Sequence, residues 1–204
     1  MDEEFPINNT IIHPTKNEII ALNLFYNKFL DLYNEIRSKS FYETDSEIRL
    51  LKLKELFSVY NELMLYEPIK QYINNIDKVR LKSEKFIAMD LFSFIRNIML
   101  HYPVFNTWDE IYMTKALAKW SKNIKNHSID KFLKKCTELS ELDQHPKFRI
   151  WNPKEKSFSD YEISFPDKYN SDSVIYLHSI ISERTGIEFC TIMMLKILSV
   201  QIKT

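Results

Sequence analysis

Arg96, Asn97 and His101, in the stretch "FIRNIMLHYP", bring together the side chains best suited to chemistry in this chain. An imidazole titrates near physiological pH, so a histidine can take a proton from a hydroxyl or return one to a leaving oxygen. A guanidinium stays charged and presents a planar fork of donors that fits a phosphate and the charge developing on it. A carboxamide beside them can orient the ring or hold the anion. As a set, these types suit proton transfer at a phosphate.

The element that must position them is a long helix from about Arg80 to Tyr102, stopped by Pro103, which pushes its predecessor out of helical geometry. At about 100° per residue, Ile87, Leu91, Phe94, Ile95, Ile98 and Tyr102 share one side. Met89, Phe92 and Leu100 fall on the other, so the helix needs two sets of neighbours, one of which a second subunit could supply. Asp90, Asn97 and His101 form a narrow polar band, while Arg96 lies about 140° round from His101 on a straight helix. A buried arginine, amide or imidazole costs several kcal/mol unless it finds partners or water. A structural account stands beside the chemical one: Asn97 bonds His101 one turn on, Arg96 snorkels or meets a carboxylate, and the group fixes how helices dock.

Arg-Asn-x-x-x-His near the end of a buried bundle helix resembles the Arg-x4-6-His signature of the HEPN superfamily. These are all-α proteins common among prokaryotic toxins, abortive-infection proteins and RNA-cleaving defence systems. With six Arg and five His in the chain, the loose spacing is expected by chance about 0.4 times, and with Asn directly after Arg at this gap roughly 0.01 times. The resemblance spans about residues 15–140. It implies a metal-independent endoribonuclease, with no cofactor, working at a homodimer interface where two Arg/His sets meet. His101 would handle the 2′-hydroxyl or 5′-oxygen proton, Arg96 the scissile phosphate, and Asn97 the orientation of either. The products would be a 2′,3′-cyclic phosphate and a 5′-hydroxyl, and DNA would be spared. The implied partners are RNA and a cognate antitoxin or regulatory protein. The superfamily also has inactive members, so the alternative is a non-catalytic helical dimerisation or protein-binding module of the same fold.

A basic stretch follows, "KALAKWSKNIKNHSIDKFLKK", with Lys115, Lys119, Lys122, Lys125, Lys131, Lys134 and Lys135 against one acid, Asp130. Lys115, Lys119 and Lys122 share a helical face, and with Lys125 they are the expected RNA-binding lysines; Trp120 and His127 lie near as stacking groups. A solvated lysine face is the plainer account of the same pattern, and a core position the plainer account of Trp120. His145, with Glu141 and Asp143, lacks a second ligand cluster, so no metal site is expected. His178 in "VIYLHSII" reads as a core histidine.

Hydroxyl-and-acid pairs mark three helix starts: Thr15 with Glu18, Thr44 with Glu47, and Thr107 with Glu110. The first helix carries Ile19, Leu22, Phe25, Tyr26, Phe29, Tyr33 and Ile36 on one face and runs to about Ser38; the second carries Ile48, Leu56, Tyr60 and Leu63 up to Pro68. Further helices are expected over 69–76, Trp108 to about Lys122, and Ile129 to Leu139. "FRIW" and "YEISF", separated by "NPKEKSFSD", read as a hairpin over 147–166. A helix pair then fills 170–204, with Asp172 to Arg184 and Glu188 to Gln201 joined at "TG", where Gly186 supplies the turn. The expected fold is a single all-α domain, an antiparallel helical bundle with a small β-hairpin insertion before the last two helices.

Composition limits what else the chain can do. Gly186 is its one glycine, which excludes a P-loop, a Rossmann fingerprint and a nucleophile elbow. Basic and acidic residues balance at 28 each, so any nucleic-acid surface must be local. Cys136 and Cys190 stand apart and read as buried thiols in a reducing compartment. The start "MDEEFPINN" is acidic where a secretory leader is basic, and the longest apolar run is broken by Lys196. A soluble cytoplasmic protein without a membrane partner is the expectation.

Overall fold

Thr15 opens the first helix in the computed structural model, which describes residues 14–67, 85–120, 128–141 and 147–199. The Thr15 hydroxyl accepts from the Glu18 N–H at 3.3 Å, and the Glu18 carboxylate takes the Thr15 N–H at 2.6 Å. Two otherwise orphaned donors are thereby satisfied. This helix, α1 (Lys16–Ile36), buries Phe29, Leu32, Tyr33 and Ile36. Its fully buried residues all lie in the C-terminal half, with Leu22 and Tyr26 partly buried against the core; Ile19 and Phe25, expected on the same face, are 44% and 37% exposed.

The second expected cap is not made. Thr44 spends its hydroxyl on the Phe41 carbonyl at 2.6 Å, closing a 3-10 turn over Lys39–Glu43, and Asp45 takes the N-cap position of α2 (Ser46–Met64). Leu50, Leu53, Leu56, Phe57, Tyr60 and Leu63 form the buried face of α2, which lies along α1. The helix expected over 69–76 lies outside the described residues.

A π-helical turn (Lys85–Asp90) leads into α3 (Leu91–His101), the central helix. Its Phe92 ring meets Phe57 and Tyr60 of α2, at centroid distances of 5.8 and 5.7 Å, and Phe189 at 6.5 Å. On the opposite side Phe94 stacks on Phe132 at 4.5 Å. The two sets of neighbours that its all-round apolar surface requires thus come from its own chain. Tyr102 leaves helical geometry just before Pro103, with its N–H still bonded to the Ile98 carbonyl.

The third pair, Thr107 with Glu110, makes both of its capping contacts, at 3.3 Å each. The helix expected from Trp108 nevertheless does not form there. Trp108, Ile111 and Met113 are all buried, the Trp108 indole N–H donates to the Ile181 carbonyl at 3.1 Å, and the Leu177 N–H reaches the Ile111 carbonyl at 2.8 Å. This docking pulls the segment into β1 (Tyr112–Met113), paired antiparallel with β4 (Ile175–Tyr176). Burial of a tryptophan and alternate residues outweighs a cap worth about 1 kcal/mol. The helix, α4 (Lys115–Trp120), begins later, with the Thr114 hydroxyl accepting from the Leu117 N–H.

The α5 helix (Ser128–Glu141) matches its expected span. Strands β2 (Lys147–Asn152) and β3 (Ser157–Glu162) form the expected hairpin in a register that pairs Phe148 with Tyr161, Ile150 with Ser159 and Trp151 with Phe158. Its turn is closed by Lys156 in a left-handed conformation, φ 51°. Two helices follow, α6 (Leu177–Ile180) and α7 (Glu183–Ser199), after a turn rather than a helix at Asp172. The break between them falls at Ile181–Ser182. Gly186 is a residue inside α7 with negative φ, so it supplies no turn. What requires glycine is space: a Cβ there would stand 2.4 and 2.5 Å from Trp108 ring carbons.

Helices thus dominate the fold, with two small antiparallel sheets among the described residues. Cys136 and Cys190 are buried free thiols, pushed up in pKa by burial. No helix among the described residues is long and apolar enough to cross a membrane.

Candidate functional site

The last turns of α3 carry the site. Arg96 is half-buried, with its Nη2 donating to the Asn97 side-chain oxygen at 3.4 Å, a long contact, and its Nε is buried without a partner among the described residues. The guanidinium lies close enough to the buried Tyr60 of α2 to pull its phenol back toward ionisation, against burial, which pushes it well above the ordinary range. Asn97 is 6% exposed. His101 stands exposed on the last turn of α3.

This differs from both sequence-based accounts in detail. No hydrogen bond joins Asn97 to His101, and no carboxylate pairs with Arg96, among the described residues. Asp90 stands at the N-cap of α3 with helical dihedrals, seven residues before Asn97. Its carboxylate ends the π turn and accepts from Lys135 of α5 at 3.2 Å.

Of the expected RNA-binding lysines, Lys119 is exposed and Lys115 half-buried, both on α4. Lys122 and Lys125 lie outside the described residues, as do His127, His145 and the side chain of Trp120. The Tyr102 hydroxyl donates to the Leu117 carbonyl at 2.7 Å, tying α4 to the His101 end of α3. Two lysines of the basic stretch are already answered within the chain: Lys134 pairs with Asp130 at 3.1 Å and Lys135 with Asp90. The effective positive surface is therefore smaller than the sequence implies.

His178 is exposed, not a core residue: its ring stacks on Tyr176 and its Nδ1 lies 3.9 Å from an Asp109 carboxylate oxygen. The short α6 presents Leu177 and Ile180 inward, which leaves His178 between them facing out. Lys54 carries no recognisable signal in the sequence. From α2 it donates to the Phe105 carbonyl at 2.6 Å and the Pro103 carbonyl at 3.3 Å, pinning the turn that follows His101. Burial lowers the pKa of its ammonium. In the sequence it is one more polar residue on an amphipathic helix.

Fold and site together define an all-α chain with a small β insertion, carrying an Arg-Asn pair and an open histidine at the end of its central helix. Compared with protein-family models, curated proteins and solved structures, the chain matches none.

Proposed function

We propose that this chain is a HEPN-like, metal-independent endoribonuclease acting as a toxin or phage-defence effector. One observation carries the reading: His101 is open to solvent beside Tyr102, whose hydroxyl ties lysine-bearing α4 to that end of α3, while Arg96 lies within the preceding turn and a half. A polymer can reach the histidine, with Lys115 and Lys119 on the adjoining helix to meet its phosphates. The buried Arg96 Nε, without a partner among the described residues, adds support, because a buried donor without an acceptor calls for a ligand or a functional reason.

In this reading His101 takes the proton of a ribose 2′-hydroxyl, whose oxygen attacks phosphorus and expels the 5′-oxygen, leaving a 2′,3′-cyclic phosphate. Arg96 holds the phosphate and the charge that develops on it. Asn97, against Arg96, limits where the guanidinium fork can lie. The leaving 5′-oxygen needs a proton, and a homodimer supplies it from the second His101 across a shared cleft.

The test is cleavage of single-stranded RNA in EDTA by wild type, Arg96→Ala and His101→Ala. Loss of a general base costs about a hundred- to ten-thousand-fold in rate, whereas an exposed side chain costs less than about 0.5 kcal/mol of stability. Full rate in both variants ends the proposal. Uncut RNA with a dimer that dissociates in His101→Ala selects the non-catalytic dimerisation module.

A further inference from the structure

A charged cavity of about 540 Å³ opens where the end of α1, the β2–β3 turn and the start of α7 converge. Its wall includes Arg37, Lys39, Tyr42, Glu155, Arg184 and Glu188. Small-molecule sites occupy roughly 300–1,000 Å³, so its size suits a metabolite.

Its charges are arranged unequally. Arg37, whose side chain is 17% exposed, is clamped by Glu155 at 2.5 Å and Glu188 at 3.5 Å. That clamp answers both carboxylates with one cation. Lys39 and Arg184 line the same space with no carboxylate partner among the described residues, and the Arg184 guanidinium is held over the Tyr42 ring at 5.0 Å. A stacked guanidinium is pre-oriented, with its in-plane donors free to meet an anion.

Two buried polar groups lie behind this wall, outside the lining of the cavity. The Tyr33 hydroxyl is buried without a partner among the described residues, on a side chain 1% exposed, close enough to Arg37, Glu155 and Glu188 to feel all three charges. Asn152 is fully buried, and its amide nitrogen is likewise unpartnered, although its oxygen takes the backbone N–H groups of Lys154 and Glu155 at 3.1 and 3.3 Å. A clamped ion pair beside two cations with no carboxylate partner among the described residues makes a pocket prepared for a polar anion.

We infer that this cavity binds a small phosphate monoester on a hydroxyl-bearing body, the class of sugar phosphates and mononucleotides. Lys39 and Arg184 take the phosphate, and the outer oxygens of Glu155 and Glu188 accept from the ligand's hydroxyl or amino groups. The inference is independent of the ribonuclease reading, since none of these residues belongs to the α3 site.

Isothermal titration of the full chain with ribose 5-phosphate, AMP, inorganic phosphate and ribose tests it. The expected result is saturable binding of a phosphate monoester tighter than about 1 mM, weaker binding of inorganic phosphate, and none of ribose. Arg184→Ala and Lys39→Ala, both exposed positions, should each weaken it about tenfold or more, the loss of one charge-assisted contact, with the unliganded melting temperature unchanged. No binding of either monoester overturns the inference, as does binding that both variants retain in full or that ribose matches.

Discussion

Gly186 and Trp108 show how one residue can be essential for the space it leaves. Glycine inside a helix costs about 1 kcal/mol relative to alanine, so Gly186→Ala would stabilise α7 were the helix alone. The added Cβ, however, meets the Trp108 ring at 2.4 Å, and that ring cannot swing aside without breaking its indole bond to Ile181. Overpacking of this kind costs about 1–3 kcal/mol. Less the helix gain, the net cost reaches about 2 kcal/mol, so we predict that Gly186→Ala lowers the melting temperature by up to about 4–8 °C in a calorimetric scan. An unchanged or raised value would mean that the helix gain dominates. At the same scale, the three residues of "RNIMLH" were legible because their types are rare in an apolar run, and their spacing proved correct within α3. Their partners were not legible. Lys54 looks like any surface lysine until the turn after Pro103 is seen to fold onto it.

Elements were read best where local chemistry and tertiary docking agree. α1 has its cap at Thr15, α5 its capping-independent amphipathic face, and the β2–β3 hairpin its alternating aromatics; each stands within a few residues of its expected span. Reading failed where docking overrules local preference, as at Trp108–Met113, and where a side chain has two possible uses, as at Thr44. It also failed at α7, whose start is set from a distance: Arg49 of α2 grips Glu183 through two contacts of 2.8 Å. Glu183 lies in the first turn of α7, so it also meets the positive end of the helix dipole. Glu183→Gln should cost about 1–3 kcal/mol, measured by urea unfolding, with part of the loss mimicked by added salt. A cost under about 0.5 kcal/mol would assign the start of α7 to the apolar contacts of Ile187 and Phe189 alone.

Burial by itself would raise the Asp130 carboxyl of α5, but hydrogen bonds from Lys134 and Tyr169 outweigh it and hold the group below its ordinary value. A carboxyl with a depressed folded-state pKa stabilises fully above its unfolded value of about 4, and this contribution is lost as pH falls through the lower folded value. Melting temperatures of Asp130→Asn should therefore fall less steeply than those of wild type below about pH 4. Parallel curves would show that Asp130 contributes nothing to acid sensitivity.

At the scale of the molecule, the all-α class followed from helical periodicity and from the caps. The charged cavity did not, because its lining is contributed by chain segments more than a hundred residues apart, Arg37 and Glu155 among them. No local pattern in the sequence brings such residues together. The candidate ribonuclease site is the opposite case: it lies on one helix, so its spacing is visible, while the meaning of that spacing depends on what the helix end faces. In the structure it carries an exposed histidine at the end of α3, which Tyr102 ties to α4.

The central claim is most directly tested by the initial rate of single-stranded RNA cleavage in EDTA, comparing wild type with His101→Ala at matched melting temperatures. The account predicts cleavage by wild type with 2′,3′-cyclic phosphate ends, a rate about a hundred-fold or more lower in the variant, and no change in stability. Wild type that leaves RNA intact, or a variant that cuts at the wild-type rate, would contradict it.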